Sequence, residues 1–383
     1  MKSSASTNNT KEVFEELISR NHRDYDVFFD NFAHNHTSHL VCNLYILGAS
    51  EERMRDMYER VTKHLDPLPE PKYSIDESNY SQFIGVKDAY RDLLDFFDQQ
   101  IDQTGFDEVF NKYVPLLLPG LVGEIAHSLI QLGYAVEFRH NLILSEALAL
   151  STLGYEPHGE LINQEFSVPL YMDPITIIQE MSSDSRFKKI QLDPYTDNTR
   201  EIDIQYFEYT KEYYMAWDSS IKQKGLDEKV RELSRGIAFL FLGHKPEFRL
   251  DFLLCHALTA FHAGRTLLPM LSEYDRVRTL RLVWFTALTL FASIGRPLPR
   301  WENLINHPVE LQSDEAEFWK GIGKAATEEE DIFAHAIKSI RTMKELAKVY
   351  PQDEEIWRHG SRKVLDLVQN PDDWGRKLGL ASK

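Results

Sequence analysis

The stretch HNHTSHLVCNLYILGA (34–49) places His34, His36 and His39 within six positions of a chain that holds 14 histidines among 383 residues. Imidazole offers a lone pair near neutral pH, so it binds transition metals and passes protons. His36 and His39 stand three apart, about 60° of rotation on a helix, so both rings can address one point. His34 points elsewhere and reads as a supporting or exposed residue. Two partly buried histidines bonded to backbone groups would give the same spacing.

Three further stretches carry the same chemistry. His127 lies among Ile125, Ala126, Leu129 and Ile130. An imidazole in such a setting needs a partner for each ring nitrogen. A metal on one and a hydrogen-bond acceptor on the other would serve, as would two core hydrogen bonds. His256 and His262 are six apart, about 120° of rotation, so they are not expected to serve one site together. His256, flanked by Leu253, Leu254, Ala257 and Leu258, reads as the deeper of the two. His335 and Lys338 share a helix face, with Asp331 placed to orient the His335 ring. An ammonium has donors only, so Lys338 can join a metal site only if burial frees its amine. A neutral amine can bind CO2 as a carbamate, whose oxygen is an anionic ligand. On its own, that stretch also reads as a surface His and Lys on an amphipathic helix. Four histidines in four separate helices, with one carboxylate-type oxygen, suit iron, copper or zinc.

Other catalytic patterns fit less well. Glu124–His127 and Glu137–His140 are both Glu-x-x-His, the di-iron motif of four-helix proteins. They fall on what reads as one helix, about 20 Å apart along its axis, and can meet only if the segment breaks at Gly133. There is no His-Glu-x-x-His, no Gly-rich phosphate cradle and no Gly-x-Ser-x-Gly in the sequence.

The elements that must position these residues read as helices throughout. Apolar residues recur at three and four over 12–19, 51–64, 86–101, 106–117, 121–151, 203–224, 226–242, 247–270, 275–294, 313–324, 328–349 and 353–368. No segment alternates with period two. Breaks are expected at DPLPEPKYS (66–74), GYEPHGE (154–160), LDPYTD (192–197), IGRPLPR (294–300) and NPDDWG (370–375). The expected fold is all-α, a single large bundle of roughly twelve or more helices. A polar segment, 1–30, leads into one helical domain, 31–383. The loop region 152–200 is the candidate hinge.

Composition bounds the partners. With 60 acidic against 43 basic residues the net charge is −17, which argues against nucleic acid and anionic membrane as partners. The longest apolar run, LVWFTALTLFASI (282–294), is shorter than the roughly 20 residues a membrane span needs and reads as a core helix. Cys42 and Cys255 lie in apolar runs and no secretory signal opens the chain, so a cytoplasmic protein with reduced thiols is expected.

The blocks HNHTSHLVCNLYILGA (34–49), HSLIQLGYAVEF (127–138), EALAL (146–150), DFLLCHALTAF (251–261), SIGRPLP (293–299) and DIFAHAIKSIR (331–341), in this order, resemble the questin oxidase-like proteins of fungal aromatic-polyketide pathways. The resemblance implies an oxygenase that opens an anthraquinone-type ring by carbon–carbon cleavage, using a small aromatic substrate and O2. It implies a mononuclear Fe(II) held by His39, His127, His256, His335 and a carboxylated Lys338, with His36 in reserve for His39 and His262 for His256. His140, Tyr134, Thr259 and Arg265 are the candidates for handling the substrate. The chain departs from the pattern at Ser128, where proline is usual, and at Gln131, where a second histidine is expected. Two other readings stay open: a Baeyer–Villiger-type oxidoreductase that uses NADPH without iron, and a helical binding protein without catalysis.

Overall fold

The computed structural model describes residues 3–30, 33–163, 171–187, 199–217, 225–244, 252–309, 314–329 and 334–368. The fold is all-α. Among the described residues, seventeen helices accompany one two-stranded antiparallel sheet. The sheet, absent from the sequence reading, pairs β1 (Phe28–Phe29) with β2 (Ala33–His34). Strands this short carry no period-two signal. The expected breaks at 192–197 and 370–375, and Asp331, lie outside the described residues.

The chain divides into two units, residues 1–157 with 314–341 and residues 158–313 with 342–383. The first contains α1 (Ser3–Asp24), α2 (Thr37–Leu47), α3 (Glu51–Thr62), α4 (Tyr90–Thr104), α5 (Phe106–Leu117), α6 (His127–Phe138) and α7 (Asn141–Leu153). Its centre is α7, in which every residue from Ile143 to Leu153 is buried. Packing against α1, α4, α5 and α6 covers it on all sides, which is why its sequence is apolar all round. Helix α2 ends at Gly48, whose φ of 86° closes the last turn and returns its N–H to Tyr45 and Leu44.

The expected continuous helix over 121–151 is instead a turn and two helices. Helix α6 runs through Gly133 and stops at Arg139, which takes φ 51° although it carries a side chain. Two contacts hold Arg139 there: its guanidinium is paired with the Asp107 carboxylate and covers the Phe106 ring. Apolar spacing resumes on both sides of the break, so periodicity alone cannot show it.

The second unit holds α8 (Gly159–Asn163), α9 (Pro174–Ser183), α10 (Thr199–Ala216), α11 (Leu226–Leu242), α12 (Phe252–Leu267), α13 (Glu273–Ser293) and α14 (Glu302–Ile305). Helix α13 packs against α10 and α12, and α11 against α9 and α12. The apolar run beginning at Leu282 is the buried half of α13, continuous through Ser293. Among the described residues, no helix is long and apolar enough to cross a membrane. Helix α15 (Glu315–Glu328) returns to the first unit, the division falls within α16 (Ala334–Val349) after Arg341, and α17 (Glu354–Val368) belongs to the second.

Candidate metal centre

The site in the first unit starts from a strained turn. Glu124, Ile125 and Ala126 take φ of 54°, 56° and 61° in succession. Left-handed backbone costs a residue with a side chain on the order of 1 kcal/mol, so three in a row persist only where packing over-determines them. Gly123 shows how tightly the turn is packed: a Cβ there would stand 1.8 Å from the Gly154 carbonyl oxygen. The turn delivers His127 as the first residue of α6, with its Nδ1 2.5 Å from the Glu124 carbonyl oxygen. A carbonyl only accepts, so the proton sits on Nδ1 and the lone pair is on Nε2.

The β1–β2 hairpin brings the other imidazoles. His34 lies flat on His127, ring centroids 3.9 Å apart and planes 5° from parallel. Its Nε2 is 3.6 Å from Glu124, whose carboxylate also meets Lys87 at 2.8 Å. Burial pushes the His34 pKa down to about 3, with the charges of Lys87 and Lys338 adding to the effect. His36 occupies the N-cap of α2 and brings its Nε2 to 2.8 Å from His127 Nε2. It meets the His335 ring edge-on at 4.6 Å. Burial also holds His36 well below the usual histidine range, and Lys338, His335, His127 and His39 push the same way. These rings are therefore neutral, the form that binds a metal.

His36, His127 and His335 each offer a ligand nitrogen within 4.8 Å of the others. Lys338, one turn beyond His335 on α16, is fully buried. The donor set fits a transition metal. Two nitrogens each about 2.1 Å from one ion, at right angles, stand about 3.0 Å apart, close to the His36–His127 separation of 2.8 Å. In the second unit, His256 on α12 is buried and directs Nδ1 to the Phe252 carbonyl at 2.9 Å. That is the same tautomer lock as at His127.

The first unit thus brings His36, His127, His335 and Lys338 together. His39 stacks on Tyr134 at 4.7 Å, and Asn43 donates to the Tyr134 hydroxyl at 2.7 Å. His140 lies at the far end of α6 from His127, about 18 Å along the axis. There it pairs with Glu15 at 3.0 Å and lines an open groove with Phe14 and Tyr45. With α6 intact through Gly133, the two Glu-x-x-His motifs sit at opposite ends of one helix and form no common site. In the second unit, Thr259 donates to the Cys255 carbonyl of its own helix, and Arg265 stands 3.4 Å from the buried His262.

Three residues given no ligand role by sequence belong to the surroundings of the centre. His34 stacks on it. Glu146 is a buried carboxylate on α7 that accepts from Gln131 Nε2 at 2.7 Å and Asn21 Nδ2 at 3.3 Å. His22 stands 3.4 Å from Glu146 and 2.9 Å from Asp98. A lone carboxylate within the apolar run of α7 was the available signal for Glu146.

Comparison with known proteins agrees with the resemblance of the blocks. The family model described as Questin oxidase-like matches residues 33–343. The chain is 24% identical over 404 residues to the Baeyer-Villiger monooxygenase dmxR6 of Cryptosporiopsis sp. (strain 8999), covering 92% of this chain and 88% of the relative. It is 32% identical over 157 residues to the Baeyer-Villiger monooxygenase AacuH of Aspergillus aculeatus, covering 37% and 33%. It is 26% identical over 151 residues to the questin oxidase of Aspergillus terreus, covering 36% and 34%.

Proposed function

The chain belongs to the questin oxidase-like family of oxidoreductases, and from that premise we propose that it is a non-haem iron oxygenase that cleaves a carbon–carbon bond of an aromatic, anthraquinone-like substrate with O2. The observation that carries the iron reading is the convergence of His36, His127 and His335, with His127 locked in the tautomer a ligand requires. We assign the ligands as these three, with a carboxylated Lys338 as the anionic oxygen. When bound, Fe(II) would make accessible the spin-forbidden reaction of O2 with a closed-shell aromatic ring.

The chain's own residues do the rest. The Glu124 carbonyl holds the proton on His127 Nδ1 and keeps Nε2 free of it. The stacked His34 fixes the plane of the His127 ring. Burial raises the Tyr134 phenol to about 12 against the nearby Arg341 charge, so it stays protonated. Its ring positions His39, the neighbour of His36.

The relatives' Baeyer-Villiger names favour a second reading, a Baeyer–Villiger-type oxidoreductase, for which we propose NADPH as reductant and no iron. One experiment separates the two. The protein is stripped with EDTA, reconstituted with Fe(II), and assayed with an anthraquinone or its hydroquinone while O2 and NADPH consumption are followed. Iron-dependent O2 uptake and a ring-opened product are expected. Full activity in rigorously metal-free protein, in step with NADPH oxidation, would overturn the iron reading.

A further inference from the structure

Beside the histidine centre, within the first unit, lies a cavity of about 10 Å³, walled by Asn21, His34, His39, His127, Gln131 and Glu146. That is room for about one water molecule among several polar partners. Its lining joins imidazoles of the centre to Glu146, whose Oε1 is 3.4 Å from His22 Nδ1, while His22 Nε2 is 2.9 Å from Asp98 Oδ2. The Asp98 side chain is 33% exposed, whereas those of His22 and Glu146 are 10% and 5% exposed. A buried histidine hydrogen-bonded through Nε2 to a wet carboxylate, with a second carboxylate that lines an internal cavity within ion-pair distance of Nδ1, is more than packing requires.

We propose that Asp98, His22 and Glu146 form a proton branch that joins solvent to the cavity beside His34, His39 and His127. In the inward step the His22 Nδ1–H bond breaks and a Glu146 O–H bond forms. That leaves the ring neutral with its proton on Nε2; the ring then turns over about Cβ–Cγ so that its bare nitrogen takes a proton from solvent beside Asp98, while Glu146 passes its own to a water in the cavity. Gln131 and Asn21 fix the carboxylate by donating to its two oxygens. Burial lowers the pKa of His22, but its hydrogen bond to Asp98 and the Glu146 carboxylate close to Nδ1 outweigh that and raise it to about 9, so the ring carries the proton it must hand on. The reduction of O2 takes up protons, and a centre enclosed by buried rings needs a route for them. The purpose given to the branch rests on the oxygenase reading; the branch itself does not.

The test uses the full-length protein labelled with 15N-histidine, before any metal is added. Exchange of ring N–H protons at His34 and His39 with water is measured by NMR in wild type, Glu146→Gln, His22→Gln and Asp98→Asn, with His140 in its separate groove as the internal reference. Exchange at His34 and His39 is expected to slow at least tenfold in Glu146→Gln and His22→Gln and about threefold in Asp98→Asn, with His140 unchanged. Unaltered exchange in the folded variants overturns the proposal, and if Glu146→Gln does not fold, the other two decide it. Iron stoichiometry is then measured on the same samples. Wild type without iron would sink the metal centre while leaving the exchange result standing. Slowed exchange with full iron content supports both.

Discussion

His36 and His127 are 91 positions apart in the chain, yet their Nε2 atoms stand 2.8 Å from each other. Without a cation, that distance requires one of the two to donate a proton to the other. With a cation, both present lone pairs to it. The His127 Nδ1–H bond to Glu124 settles its role as acceptor, so the contact is already arranged for coordination on one side.

Metal content should therefore follow the cluster and not histidine number. Replacing His127 or His335 with alanine is expected to lower bound iron at least tenfold. His36→Ala should cost more iron than His39→Ala, because His36 holds the facing nitrogen while His39 stacks on Tyr134. His140→Ala should retain full iron. Elemental analysis of the purified variants checks this, and equal loss at His140 would refute the assignment.

If Lys338 supplies a carbamate oxygen, its replacement should be rescued chemically. Lys338→Ala is expected to lose most of its iron and to recover part of it when formate or acetate is added, because a small carboxylate can stand in for the carbamate. Wild-type iron uptake should rise with bicarbonate. Lys338→Arg should not be rescued, since a guanidinium stays charged and cannot bind CO2. Iron content independent of both anions would count against the modification.

The strained turn before His127 predicts a stability effect outside the ligands. Gly123→Ala would force a Cβ to 1.8 Å from the Gly154 carbonyl oxygen, a backbone group that cannot swing aside. A loss of about 2–4 kcal/mol is expected, with iron affinity falling as the turn shifts. Urea unfolding midpoints of the metal-free proteins measure the first part. A change under about 0.5 kcal/mol would show that the turn yields easily.

His22 gives the stability a pH dependence of known sign. Its folded pKa, about 9, lies above the ordinary histidine value of 6.5. A raised pKa means that the folded state binds the proton more tightly than the unfolded chain. The contribution is thus complete below about pH 6.5 and is lost as pH rises through about 9, up to roughly 3 kcal/mol in all. His22→Gln should flatten that part of the curve. Chemical denaturation between pH 6 and 10 provides the check.

How far the sequence reached depends on the range of the forces involved. Helix-forming periodicity and glycine stops act within a few residues, so α2 with its end at Gly48, α5 and α11 could be read directly from spacing. Apolar neighbours announced that His127 and His256 would be buried, and the ordered blocks announced the family. The break at Arg139 could not be read, because it depends on Asp107 and Phe106 reaching a residue from another helix. The choice between His36 and His39 could not be read either. Helical spacing treats the two alike, but α2 begins only at Thr37, and the β1–β2 hairpin decides which ring turns toward His127. The same holds for Glu146, whose partners His22 and Gln131 come from different helices. Local sequence determined which side chains would be buried and which helices carry them. Contacts between residues far apart in the chain decided which nitrogens face one another, because that depends on packing geometry that no short segment encodes.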